Sequence, residues 1–279
     1  MKSNTAKIIS KTIIYIIITI GAITMLIPFL WMISTSLKTG PETIKLPPIW
    51  IPKSLQWINY VIAWHSAPFA QYFINSIIVT TLTTIGQLFT SILAAFAFSK
   101  LNFWGKNIIF MIFLGTMMVP SEMLIIPNFV TLSRMHLINT YPALILPYLA
   151  SFFTVFTLKQ TFQVVPNQLY YAAKIDGASD WRFLWTILVP LSKSGITAVT
   201  VLQVISCWNA FMWPLIVTNT DNMRTLPVGL QAFTTNAGTT YQLLMAASTF
   251  VIIPMIILYL FLQKYIIAGI SKSGSGVKG

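Results

Sequence analysis

The run TIIYIIITIGAITMLIPFLWMISTS, residues 12–36, carries no charged side chain. At 1.5 Å of rise per residue, a helix of about 20 residues crosses a hydrocarbon core about 30 Å thick, and this run exceeds that. Lys2, Lys7 and Lys11 precede it, as in a secretory leader. The run is too long for one and lacks a small-residue cleavage site, so it predicts an uncleaved first membrane span.

Working outward, similar apolar stretches fall at 72–98, 107–132, 141–163, 197–218 and 243–266, each near the spanning length. Pro120 and Pro127 interrupt the third and Pro147 the fourth, which predicts kinked or broken helices there. Composition agrees with lipid as the solvent. Hydrophobic residues make up 56% of the chain and charged residues 8%, whereas a soluble domain carries roughly 25% charged residues. Mean hydropathy is +0.77. These observations predict an all-α integral membrane protein, one domain over 1–279 with six transmembrane helices.

The net charge of +12 does not point to nucleic acid, because the basic residues flank apolar runs, where headgroups and cytosol would meet them. With the N-terminus inside, Lys2, Lys7, Lys11, Lys100, Lys106, Lys159, Lys174, Arg182, Lys193, Lys264, Lys272 and Lys278 are cytoplasmic. Lys38, Lys45, Lys53, Arg134 and Arg224 lie on the other side. Twelve against five predicts both termini inside. The loops 37–71, 133–140 and 219–242 then face outward, the first rich in proline and tryptophan (Pro41, Pro47, Pro48, Pro52, Trp50, Trp57, Trp64). Cys207 is the only cysteine, so no intrachain disulfide forms, and His65 and His136 lack metal-ligand spacing.

The cytoplasmic segment 164–196 is the longest polar stretch after the first loop. Asn167 starts a run of good helix formers, and Gly177 supplies the backbone freedom of a helix end. Ser179 or Asp180 caps a second helix, whose Trp181, Leu184, Trp185 and Leu188 recur on one face until Pro190. A helix–turn–helix can read DNA, but Lys174, Arg182 and Lys193 against Asp176 and Asp180 leave only +1, too little to neutralise phosphates.

The string Tyr171-Ala172-Ala173-Lys174-Ile175-Asp176-Gly177-Ala178, followed by Ile187-Leu188-Val189-Pro190, resembles the EAA loop of bacterial ABC importer permeases. That family has Glu-Ala-Ala, a glycine after three residues, and Ile-x-Leu-Pro after nine more. Tyr171 stands in place of the family's Glu and Val189 in place of its Leu. Three further stretches are similar to the carbohydrate-uptake branch, specifically the shorter, maltose-type second permease. They are Leu137-Ile138-Asn139-Thr140-Tyr141, Trp208-Asn209-Ala210-Phe211-Met212-Trp213-Pro214-Leu215 and Arg224-Thr225-Leu226-Pro227-Val228-Gly229-Leu230. The ending Val277-Lys278-Gly279 adds to the likeness, while Ala210 stands where relatives commonly carry an acid.

The resemblance implies that Tyr171, Ala172, Ala173, Asp176, Gly177, Ala178, Ile187 and Pro190 form the surface coupling this chain to an ATP-binding-cassette ATPase dimer. It implies a second permease subunit, an extracytoplasmic solute-binding protein touched by Asp221, Asn222 and Arg224, and the bacterial plasma membrane. The solute class implied is a sugar, oligosaccharide or polyol-like compound, with glycerol-phosphate conjugates also admitted.

No G-x-x-x-x-G-K-[ST] loop occurs; Gly274-Ser275-Gly276-Val277-Lys278-Gly279 has another spacing. The chain is therefore expected to bind no cofactor of its own, with ATP and magnesium at the partner ATPase. Glu122 is the only acid within an apolar span and reads either as a pathway residue or as a cap on broken backbone. Asn75, Gln203, Trp208 and Asn209 are further pathway candidates, explained as well by interhelical bonding or packing. A self-sufficient secondary transporter or channel is the rival reading. It calls for more intramembrane charge than Glu122 supplies.

Overall fold

The computed structural model describes residues 2–235 and 238–274; Val277-Lys278-Gly279 lies outside the described residues. The chain is mostly helical and groups into two compact units, 1–68 with 230–253, and 69–229 with 254–279. Among the described residues three helices are long and apolar enough to span unbroken: Ser10–Ser36, Phe69–Lys100 and Tyr241–Phe261. Three bent pairs also qualify, Lys106–Thr116 with Ser121–Arg134 (91°), Tyr141–Tyr148 with Phe152–Gln163 (47°), and Asp180–Leu191 with Lys193–Trp208 (81°). Counting each pair as one span makes up to six by length and composition, the last pair taking in the second helix of the polar segment 164–196.

The bends have local causes. Helix Lys106–Thr116 ends just before Pro120, which cannot donate a backbone hydrogen bond, and Pro147 sits in the turn Leu146–Tyr148. Pro127 breaks nothing, because it occupies the first turn of Ile125–Arg134, where an N–H has no intrahelical partner. The stretch expected to span at 197–218 is not one helix. Lys193–Trp208 stops at Asn209, whose amide donates back to the Ile205 carbonyl (2.9 Å), and Met212–Val217 is a separate short helix. Pro214 has no N–H for the Ala210 carbonyl, so a continuous helix would lose that bond.

In the first unit, a buried Lys38 closes the N-terminal helix. Its ammonium lies 3.8 Å from the Trp31 ring centroid and 3.3 Å from Thr35 Oγ1. Asn59 donates to the Ser36 and Lys38 carbonyls (2.7 and 2.9 Å), which ties the loop 37–71 to the helix end. Thr39 and Glu42 form a capping box, and the hydrogen bond from the Thr39 amide holds the Glu42 carboxyl below the usual carboxylate range. Residues 13–30 of the N-terminal helix expose large apolar side chains on every face, as lipid or a partner helix allows.

The second unit is organised by Phe69–Lys100, 32 residues long. Ile74, Ile77, Leu82, Ile85 and Phe89 are exposed on one face, while Asn75, Thr83, Gln87 and Ser91 are buried on another. Hydrocarbon gives apolar side chains no reason to hide, and of the buried polar ones Asn75 and the Gln87 amide nitrogen find partners, the latter at Thr154 Oγ1 (3.2 Å).

Candidate functional site

Helix Asn167–Ile175 ends in a Schellman turn. The Ala178 N–H donates to the Ala173 carbonyl (2.8 Å), the Gly177 N–H donates to Lys174 (3.1 Å), and Gly177 has φ +75°. Nothing lies within 4 Å of a Cβ built on Gly177, so the backbone conformation and not crowding demands glycine. Ser179 Oγ accepts the Arg182 N–H (3.2 Å) and starts the second helix. Asp180 ties the two helices together, accepting from Tyr170 Oη (2.7 Å) and pairing with Lys174 (2.7 Å). Burial and the Asp180 contact push the Tyr170 hydroxyl up to about 12.

Of the face read in the sequence, Leu184, Leu188 and partly Trp185 pack on the core, and Trp181 does not. Phe183, Leu184 and Leu188 are fully buried, among Ile92, Phe96, Phe98, Leu158 and Phe162. Each such side chain contributes roughly 1.5–3 kcal/mol relative to water. Trp181 is instead 57% exposed, and Trp185 stacks on Phe89 with ring planes 12° apart. A π-helical turn follows at Leu184–Leu188, where the Val189 N–H reaches back to the Leu184 carbonyl.

Of the residues expected at the coupling surface, Ala173 is buried beneath the turn, and Ala178 and Ile187 pack partly on the same core. Tyr171, Ala172, Asp176, Gly177 and Pro190 are exposed. Ile175 is 87% exposed beside them. Lys100 anchors the loop's entry: its ammonium donates to the Val165 carbonyl and to Asn167 Oδ1 (2.9 Å). Neither Lys100 nor Ile175 was singled out from the sequence.

A second feature is a cleft of about 600 Å³ lined by Glu122, Tyr148, Gln203, Cys207, Trp213 and Thr225 among others. Glu122 sits in the turn Ser121–Leu124 at the 91° bend, exposed, and accepts from Ser121 Oγ (3.3 Å). Of the five pathway candidates, Glu122 and Gln203 line this cleft and the other three do not. Asn75 is fully buried and bonded on both ends of its amide. It accepts from Gln71 Nε2 (2.9 Å) and Tyr141 Oη (2.7 Å), and donates to the Asn222 and Arg224 carbonyls (2.8 Å each). Trp208 is buried edge-on to Phe73, and Asn209 caps its own helix.

Asp221, Asn222 and Arg224 stand together near the start of the loop 219–242. Asp221 pairs with Arg224 (2.9 Å) and accepts from Tyr72 Oη (3.2 Å), while the Leu226 N–H donates to Ser76 Oγ (2.8 Å). Asn139, at φ +63°, accepts the Asn219 and Thr220 amides (2.9 and 3.1 Å). Gly229 lies against the Tyr72 ring, where a Cβ would come within 2.4 Å. This clasp ties together the motifs at 137–141 and 224–229, and its partners Tyr72 and Ser76 carried no sequence signal of their own.

Comparison with known proteins gives the arrangement a family. Residues 87–272 match the model of the binding-protein-dependent transport system inner membrane component. The chain is 35% identical to the arabinooligosaccharides transport system permease protein AraQ of Bacillus subtilis (strain 168), over 91% of each chain. It is 31% identical to the sn-glycerol-3-phosphate transport system permease protein UgpE of Yersinia pestis bv. Antiqua, over 93% of this chain and 95% of that one. Its fold is similar to a chain of a bacterial ABC transporter involved in the import of the acidic polysaccharide alginate. There the TM-score is 0.80 at 23% identity, over 92% of this chain and 96% of that one. The chain belongs to the family of binding-protein-dependent transport system inner membrane components.

Proposed function

We propose that this chain is the permease subunit of an ATP-driven importer in the bacterial plasma membrane. It forms with a second permease the alternating-access pathway for a sugar or sugar-like solute. The whole chain acts as one transmembrane domain with six spans and both termini cytoplasmic. The observation that carries the reading is the hairpin at 167–191. It is a turn rigid by its own hydrogen bonds, docked through Phe183, Leu184 and Leu188, with Tyr171, Ala172, Ile175 and Gly177 left on its outer surface. An exposed apolar patch on a rigid element suits a partner protein.

In this reading the partner ATPase holds ATP and magnesium, and its closure displaces the hairpin as a lever. Core packing behind the hairpin then transmits the push, because packed interfaces switch between discrete arrangements and do not deform continuously. The names of the relatives support a carbohydrate or polyol cargo delivered by an extracytoplasmic binding protein. Asp221, Asn222 and Arg224 are the candidate contact for that protein, held in place by the clasp on Tyr72 and Asn75. Purification of the native complex tests the assignment. A stoichiometric ATPase and ATP-dependent solute uptake after reconstitution are expected, and a chain that transports alone, driven by an ion gradient, overturns it.

A further inference from the structure

The relatives leave the charge of the cargo open, since their names include an oligosaccharide and a phosphate ester, and the fold also serves an acidic polysaccharide. The cleft of this chain bears on that point. Its volume, about 600 Å³, falls in the range of small-molecule sites, roughly 300–1,000 Å³. Among the described residues its wall contains one charged side chain, Glu122, and no lysine, arginine or histidine. The other polar groups are neutral, among them Gln203, Tyr148 and Thr225. Trp213, spent on the Ala143 carbonyl through its Nε1 (3.0 Å), and Tyr148, edge-on to it, supply an aromatic wall.

We propose that this cleft is a solute-contact site for a neutral, polyhydroxylated molecule and that Glu122 makes it reject anions. The inference rests on the importer reading and adds to it where on this chain the cargo is touched and what charge it bears. A carboxylate accepts hydroxyl hydrogen bonds, as the Gln203 side-chain oxygen can, whereas a phosphate ester or a uronate meets it with like charge and finds no cation in the wall to offset the repulsion.

Cys207, the only cysteine of the chain, lines the same cleft and reports on it directly. In the reconstituted complex, its modification is followed by mass spectrometry of this subunit with methanethiosulfonates that are anionic, cationic or neutral. The anionic reagent should lag the cationic one, and Glu122→Gln should raise the anionic rate severalfold, as removal of a nearby like charge does. An unchanged ratio of anionic to cationic rates in Glu122→Gln overturns the charge filter. Arabinotriose should protect wild-type Cys207 while trigalacturonate and sn-glycerol-3-phosphate do not, and Glu122→Gln should let trigalacturonate protect. Equal protection by all three in wild type, or by none, overturns the site. ATPase co-purification and ATP-driven uptake are measured on the same preparation. Their presence with a failed Cys207 result sinks only the cleft assignment, and their absence sinks the importer reading.

Discussion

Replacing Gly177 separates the turn's own requirement for glycine from a requirement imposed by a partner. At φ +75°, with open space around the Cβ position, Gly177→Ala costs only the left-handed backbone, about 1–2 kcal/mol. That reduces the population of the native turn about 5- to 30-fold relative to its frayed forms. Asparagine tolerates this region, so Gly177→Asn should fall between alanine and wild type. Gly177→Asp has nearly the same shape as asparagine and differs in charge. Placed at a helix C-terminus, that charge costs about 0.3–1 kcal/mol from the helix dipole alone. An unpaired charge buried in a partner contact costs on the order of 2–5 kcal/mol. The assay is ATPase retention on purification of the complex together with solute uptake, normalised to inserted protein. Aspartate should lose retention by far more than the roughly fivefold that the dipole allows, while asparagine keeps most of it. Aspartate matching asparagine, with alanine worst, would show that only the turn matters and refute the coupling surface. Wild-type behaviour in all three would refute both.

Cysteines at Ser54 and Ser273 in a Cys207→Ser background should label from outside and inside respectively; outside labelling of Ser273→Cys in sealed cells reverses the orientation. Asn75→Leu strips four hydrogen bonds from the clasp and strands two carbonyls, so it should destabilise by roughly 2–4 kcal/mol. Thermal unfolding followed by size-exclusion chromatography checks this, and an unchanged midpoint refutes the clasp. Gly229→Ala forces a Cβ against the Tyr72 ring and should cost about 1–3 kcal/mol, relieved by combining it with Tyr72→Leu. Additive losses in the double variant would show that the ring is not the obstacle.

The sequence by itself determined the solvent and the local turns. Long uncharged runs such as 12–36 suit hydrocarbon whatever their neighbours, and the helix end at Gly177 depends on bonds that reach no more than five residues back, from Ala178 to Ala173. The breaks near Pro120 and Pro147 were legible for the same reason, since a missing N–H is a local fact. Tertiary structure decided which polar groups serve structure and which face the cleft. Asn75 and Gln203 look alike in sequence, yet the amide of Asn75 is taken by carbonyls 147 and 149 residues away, and Gln203 lies on the cleft wall. It also decided that Phe183 docks the hairpin among Phe96, Leu158 and Phe162 while Trp181 stays exposed. A side chain's role in lipid depends on which partners the fold brings within hydrogen-bonding reach, and spacing along one helix does not encode partners on another.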